Sequence, residues 1–245
     1  MTRLLEDDAL RLLREAGISV PDFETVKTVD AAVDATQGLG GRAVLKALIP
    51  AGGRGKAGAV RLVESPNEAG AFAASLLGQE ILHYPVTELL VSAPVDIARE
   101  VFVSFAFDSE TKKPVLLFSA KGGVDIETIL DKHPASLIRQ PLSLLTGFSK
   151  TDAHALTEAA GLSEPMAKNV AKVLAILWQV FTEREAELLE VNPLVLAPDS
   201  LVTAPTAVLN LDEQAMARHD DLTVATDRIR TNCLLYTSPS PRDRG

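Results

Sequence analysis

Cysteine, histidine and long apolar runs are scarce in this 245-residue chain, and each scarcity excludes a class of function. The single cysteine, Cys233, removes an internal disulfide framework and any multi-cysteine metal site. The four histidines, His83, His133, His154 and His219, are scattered without metal-ligand spacing. No apolar run approaches the ~20 residues of a membrane-spanning helix. Residues 1–20 carry Glu6, Asp7 and Asp8, unlike a signal peptide. Positive charge is also short, with 24 Lys and Arg against 33 Asp and Glu for a formal net charge of -9. That balance disfavours general nucleic-acid or anionic-membrane partners. What remains is 47% hydrophobic and 23% charged, the make-up of a globular protein with ample core for one large domain or two lobes. The expectation is a cytoplasmic enzyme or enzyme subunit.

Against the acidic background, residues 43–61, AVLKALIPAGGRGKAGAVR, stand out. An aliphatic run carrying Lys46 leads into Gly52-Gly53-Arg54-Gly55-Lys56, and a second aliphatic run begins at Ala59. This reads as strand, glycine loop, strand. Glycine admits close backbone approach, and two cations beside clustered N–H groups suit a polyphosphate. Gly53-x-Gly55-x-x-Gly58 matches the dinucleotide fingerprint formally, but that fingerprint needs a helix after the loop. A P-loop fails as well, because Ala57 follows Lys56 where Ser or Thr is required. The competing reading is a plain hairpin turn with solvated cations. Lys46 weighs against it, since a lysine in an apolar strand is costly unless its charge is used.

The surrounding pattern mixes hairpins and helices. Residues 2–16 have helical spacing with Gly17 as C-cap, residues 29–39 read as a short helix, and Ser65-Pro66-Asn67-Glu68 is a capping box opening a helix to about Leu77. Strands are expected at 87–91, 100–107 and 114–119, with a turn over 108–112. A helical region follows over 152–181, broken near Gly161, and a final strand pair at 188–196 and 201–203 turns at Pro198-Asp199-Ser200. The order predicts an α+β fold with two lobes. Residues 231–245 break this style and resemble a translated adapter sequence, so they are read as non-native and Cys233 receives no role.

Three further constellations accompany the loop. In Leu188-Leu189-Glu190-Val191-Asn192-Pro193-Leu194, Glu190 and Asn192 share a strand face, placing a carboxylate and an amide oxygen where a hard cation can be shared. The plainer reading of Asn192-Pro193 is a strand kink. Val95-Asp96-Ile97-Ala98-Arg99-Glu100 alone reads as a solvated strand edge, and Lys121-Gly122-Gly123-Val124-Asp125-Ile126-Glu127 as a turn or a loop over a site.

Taken in order, VLKALIPAGGRGKAG, DIARE, GGVDIE and LLEVNPLV resemble the β subunit of succinyl-CoA synthetase and related ADP-forming acid–CoA ligases, including malate–CoA ligase. The likeness runs from the N-terminus to about Leu222. It implies an ATP-grasp fold over residues 1–230, with a small lobe of about 20–95 and a large lobe of 1–19 plus 96–230. It also implies nucleotide contacts at Lys46, Gly53, Arg54, Gly55, Ser92, Val95 and Glu100, and a magnesium ligand at Asn192. ATP or GTP with Mg²⁺ would be bound. In the family the nucleotide phosphorylates a histidine on a separate α subunit, the phosphoryl group passes to a carboxylic acid, and CoA displaces it. The expected partners are therefore an α subunit, CoA and a carboxylic acid, with no catalytic residue assigned in this chain.

The sequence departs from that pattern in places. Ser92 stands where the family commonly has glutamate, Thr206 where an aspartate ligates magnesium, Lys121 where a glutamate precedes the double glycine, and Pro50 where a histidine precedes the loop. The C-terminal CoA-ligase domain is expected to be absent. An alternative is a catalytically weakened paralogue serving as a structural or regulatory partner of an α subunit. A ligase for an unusual acid is a third reading.

Overall fold

The computed structural model describes residues 2–123, 126, 130–131 and 134–222. Val124, Asp125, Glu127 and the tail with Cys233 lie outside them. Two antiparallel sheets, each with its own core, organise the chain in the α+β class expected.

The smaller sheet has the order β2 (Phe23–Val26), β7 (Leu89–Ser92), β3 (Ala43–Ala47) and β4 (Val60–Val63). Helices α2 (Val29–Gly38) and α3 (Pro66–Leu76) pack together and against it. Leu45, Ala47, Leu89 and Val91 are fully buried there with Ala69, Phe72 and Ala73 of α3. Local chemistry fixes both helix starts. Thr28 Oγ1 accepts from the Ala31 N–H at 3.2 Å, and Ser65 Oγ accepts from the Glu68 N–H at 3.3 Å. Only this half of the capping box forms at α3, because the Glu68 carboxylate takes the Glu64 N–H, one residue early. Between α3 and β7 a two-stranded ribbon pairs β5 (Glu80–Ile81) with β6 (Tyr84–Pro85).

The larger sheet runs β1 (Thr2–Arg3), β13 (Val208–Leu211), β11 (Ala186–Leu196), β8 (Arg99–Phe107), β9 (Pro114–Ser119) and β10 (Leu137–Pro141), with β12 (Val202–Thr203) paired to the end of β11. Helix α1 (Glu6–Glu15) leaves β1 and packs on β13. Helix α4 (Lys150–Ala159) packs on α5 (Met166–Glu183), which lies along one face of the sheet. Phe105 meets Trp178 and Phe181 on that face, with ring centroids 5.9 and 6.0 Å apart. Each large side chain so buried contributes about 1.5–3 kcal/mol. The opposite side of β11 borders the cleft.

Strand β11 shifts register against β13 near its start, between Ala186 and Leu188, and against β8 at Asn192-Pro193. Val191 pairs with Val103 of β8 but Leu194 with Val101, so β11 holds one extra residue. Proline has no N–H for a ladder and fits the extra position. The bulge keeps Leu189, Val191, Leu194 and Leu196 in the core while Glu190, Asn192 and Val195 line the cleft. The kink and the polar pair are thus the same feature.

Candidate functional site

Between the sheets lies a cleft of about 680 Å³, the size that holds a cofactor-sized ligand. The small-lobe wall is Lys46 on β3 with the glycine loop from Ala51 to Lys56, the far wall is Glu190, Asn192, Pro193 and Val195 of β11, and Pro205, Thr206 and Val208 close one side. The strand–loop–strand reading holds, because β4 pairs directly with β3, Lys46 opposite Val60. Within the loop Ala57 N–H bonds to Gly53 O and Ala59 N–H to Arg54 O, at 3.1 and 2.9 Å. Gly53 has φ +72°, a backbone state that disfavours side chains.

Lys46 and Arg54 converge on one carboxylate. Lys46 Nζ donates to Glu6 Oε1 at 2.8 Å and to the Pro205 carbonyl at 2.7 Å. Arg54 donates to the Ala47 carbonyl at 3.0 Å and forms an ion pair with the other Glu6 oxygen. Burial pushes the Glu6 carboxyl up, but the charges and hydrogen bonds of Lys46 and Arg54 outweigh it and hold it down at about 2. Arg3 stands close enough to feel both walls. Its burial and the charge of Arg54 pull its guanidinium below the usual value, while Glu190 partly restores it. Neither Glu6 nor Arg3 was expected from the sequence. Three acids in the first turn of a helix read as dipole-favoured and solvated, and only folding brings Glu6 to a lysine forty positions on.

Across the cleft, Asn192 Oδ1 accepts the Gly123 N–H at 3.2 Å. Gly122 N–H bonds the Glu100 carbonyl at 2.9 Å, which lays the double glycine flat on β8. A Cβ at Gly123 would collide with the Glu100 carboxylate, and its φ is +73°. The glycines of this segment therefore admit a close approach that seats Gly123 beside Asn192.

Of the residues singled out from the sequence, Lys46, Gly53, Arg54, Gly55, Val95 and Asn192 line one cavity. Ser92 and Glu100 do not line it. Ser92 is buried at the end of β7, its hydroxyl donating to the Val44 carbonyl at 3.4 Å, and Glu100 is turned against Gly123. Thr206 lines the cleft with Glu190 and Asn192, so a carboxylate is present on the wall even though position 206 offers a hydroxyl. Away from the cleft, His154, which has no motif spacing, is brought between Glu158 and Glu164, with Nε2 2.5 Å from the Glu164 carboxylate.

Comparison with known proteins agrees with this fold. The ATP-grasp domain model matches residues 3–196. Over 220 residues the chain is 36% identical to the succinate–CoA ligase [ADP-forming] β subunit of Halorubrum lacusprofundi, covering 90% of this chain and 58% of that protein. The chain thus spans less than two thirds of that relative's length. Among solved structures, a dinucleotide-forming acetyl-coenzyme A synthetase of Ca. Korarchaeum cryptofilum, in complex with coenzyme A and Ca-AMPCP, aligns with TM-score 0.66 at 19% identity, over 86% of this chain and 94% of that one. The ATP citrate lyase of Methanothrix soehngenii aligns with TM-score 0.65 at 19% identity, over 87% and 52%. A glycine loop and a buried lysine facing an E-x-N strand across a two-lobed cleft, together with a family match over most of the chain, place this protein in the ATP-grasp domain family.

Proposed function

We propose that the cleft binds a nucleoside di- or triphosphate with Mg²⁺, and that the chain is the nucleotide-binding part of the β subunit of an ADP- or GDP-forming acid–CoA ligase of the succinate–CoA ligase kind. The observation that carries this is the convergence of Lys46, Arg54 and the open glycine loop on one wall, opposite Glu190 and Asn192 on the other. A polyphosphate spanning that gap meets cations on one side and hard oxygen donors on the other.

The donor set fits a magnesium ion. Asn192 Oδ1, the Glu190 carboxylate and the Thr206 hydroxyl are all oxygen donors on the cleft wall, and Mg²⁺ needs only one or two protein ligands beside phosphate. When bound, the ion offsets charge on the phosphate oxygens. The chain's own part is to bind and orient. Lys46 and Arg54 face the charge that accumulates as the γ-phosphoryl group leaves, and the loop backbone supplies N–H donors. In the reaction the bridging oxygen–γ-phosphorus bond breaks, ADP or GDP leaves, and a nitrogen–phosphorus bond forms on a histidine of a partner α subunit. A synthetase structure of this fold, aligning with TM-score 0.59 at 19% identity, is described with Mg-AMPPCP and a phosphohistidine segment pointing towards the nucleotide site, which supports the direction of approach. A carboxylic acid and CoA belong to the complete complex. The weakened-paralogue reading is not favoured, because Lys46, Arg54 and Asn192 all stand in the cleft.

Calorimetric titration with ADP and ATP in the presence of Mg²⁺ tests the proposal. Saturable binding is expected, with Lys46→Ala weakening it tenfold or more, in line with about 1.5–3 kcal/mol for a charged hydrogen bond. A folded chain that binds neither nucleotide overturns it.

A further inference from the structure

Glu6 belongs to no motif and receives no role in the chemistry above, yet its carboxylate bridges two cations of the cleft wall. It opens α1, on the side of the larger sheet, and its side chain is only 3% exposed. Both its oxygens are taken by cations of the other lobe, Lys46 on β3 and Arg54 in the glycine loop. The next residue repeats the link, since Asp7 Oδ2 accepts from Thr25 Oγ1 on β2 at 3.1 Å.

A simple structural ion pair needs one cation, and a buried pair is commonly replaced by apolar side chains without loss of stability. Glu6 instead gathers two cations, both from the cleft wall, and leaves the trio with a net positive charge. Lys46 has three N–H groups, of which Glu6 and the Pro205 carbonyl take two, so one remains for a ligand in the cleft it lines.

We propose that Glu6 is a positioning residue for nucleotide phosphates. Its single carboxylate holds Lys46 and Arg54 side by side against their mutual repulsion, aims their remaining donors at the cleft, and ties the glycine loop to α1. The inference rests on the nucleotide reading and names a residue through which that site acts. Two effects oppose each other when Glu6 is neutralised. Removing a negative charge strengthens the pull on phosphate, but in a solvent-filled cleft this is a screened effect of a fewfold. Misaiming the donors forfeits charge-assisted hydrogen bonds, each worth about tenfold or more in affinity, so orientation wins.

The test compares ATP, ADP and adenosine binding, at fixed Mg²⁺, to the wild type and to Glu6→Gln, with adenosine followed by ligand-observed NMR. Glu6→Gln is expected to weaken ATP and ADP by about tenfold or more while adenosine changes less than about twofold, because adenosine has no phosphate to place. Unchanged or tighter ATP binding overturns the inference, as does an equal loss for ATP and adenosine, which is the mark of structural support alone. A wild type that binds no ATP fails the nucleotide reading and this inference together; a wild type that binds ATP as its variant does fails this inference only. If Glu6→Gln does not give a native near-UV spectrum, Glu6→Asp decides. It keeps the charge but falls one methylene short of bridging both cations, and the same loss for ATP with adenosine spared is expected.

Discussion

Glu6 also sets a pH dependence of its own. Its carboxyl is held at about 2 in the folded chain, against about 4.3 for an unperturbed glutamate. A depressed folded value contributes stability that is fully present above the unfolded value and is lost as pH falls through the folded one. The window is therefore from about pH 4.5 down to about pH 2. Urea midpoints measured across this range are expected to fall steeply for the wild type. Glu6→Gln starts lower at neutral pH, by about 3–5 kcal/mol for a broken buried pair, and falls less steeply. Parallel curves for the two proteins would count against the assignment. Asp108, held near 2 by hydrogen bonds from Thr111 and by Arg139, adds to the wild-type slope but is common to both proteins. At this scale the sequence exposed Lys46, Arg54 and Asn192, because each breaks its local pattern: a cation in an apolar strand, a cation among glycines, an amide before a proline. Glu6 breaks no pattern where it stands.

Elements separate stability from function more cleanly than single residues do. Helix α5 packs on the face of the larger sheet turned away from the cleft, and Leu177 within it is fully buried. Leu177→Ala is expected to lower unfolding free energy by about 2–5 kcal/mol, read from urea titration, while nucleotide affinity stays within twofold of wild type. A loss of affinity as large as that of Lys46→Ala would mean that the two faces are coupled. Most elements were legible from period and punctuation. The helix at 29–39 is α2, the hairpin at 108–112 joins β8 to β9, and the turn at Pro198-Asp199-Ser200 joins β11 to β12. β10, β13, β1 and the short ribbon strands β5 and β6 were not. β10 is a largely exposed sheet edge of mixed polarity, so it shows no alternation. β13 is buried on both faces and four residues long, which leaves no period to read. β1 was absorbed into the first helix, whose true start at Glu6 has no side-chain cap to mark it.

On the scale of the whole molecule, the cleft lies between two sheets, each with its own core. A nucleotide held by both walls is expected to slow amide exchange in the 52–58 loop and at Gly123 together, and to raise unfolding free energy by about 2.7 kcal/mol at a hundredfold excess over Kd. Hydrogen-exchange mass spectrometry with and without Mg²⁺·ATP measures the first and thermal melts the second. Protection confined to one wall would contradict a ligand that bridges them. No helix among the described residues is long and apolar enough to cross a membrane.

The sequence by itself determined the glycine loop between two strands, the charged residues flanking it, the E-x-N-P strand and the α+β class, because these are written in local spacing and in breaches of it. Tertiary structure alone decided which of those residues meet. It turned Ser92 into the small sheet and Glu100 against Gly123, and used the extra residue at Asn192-Pro193 to keep the strand's core face and its cleft face in register. It also delivered Glu6 to Lys46 and Arg54, a contact between residues far apart in the chain that no periodicity records and that buried charge makes worth keeping.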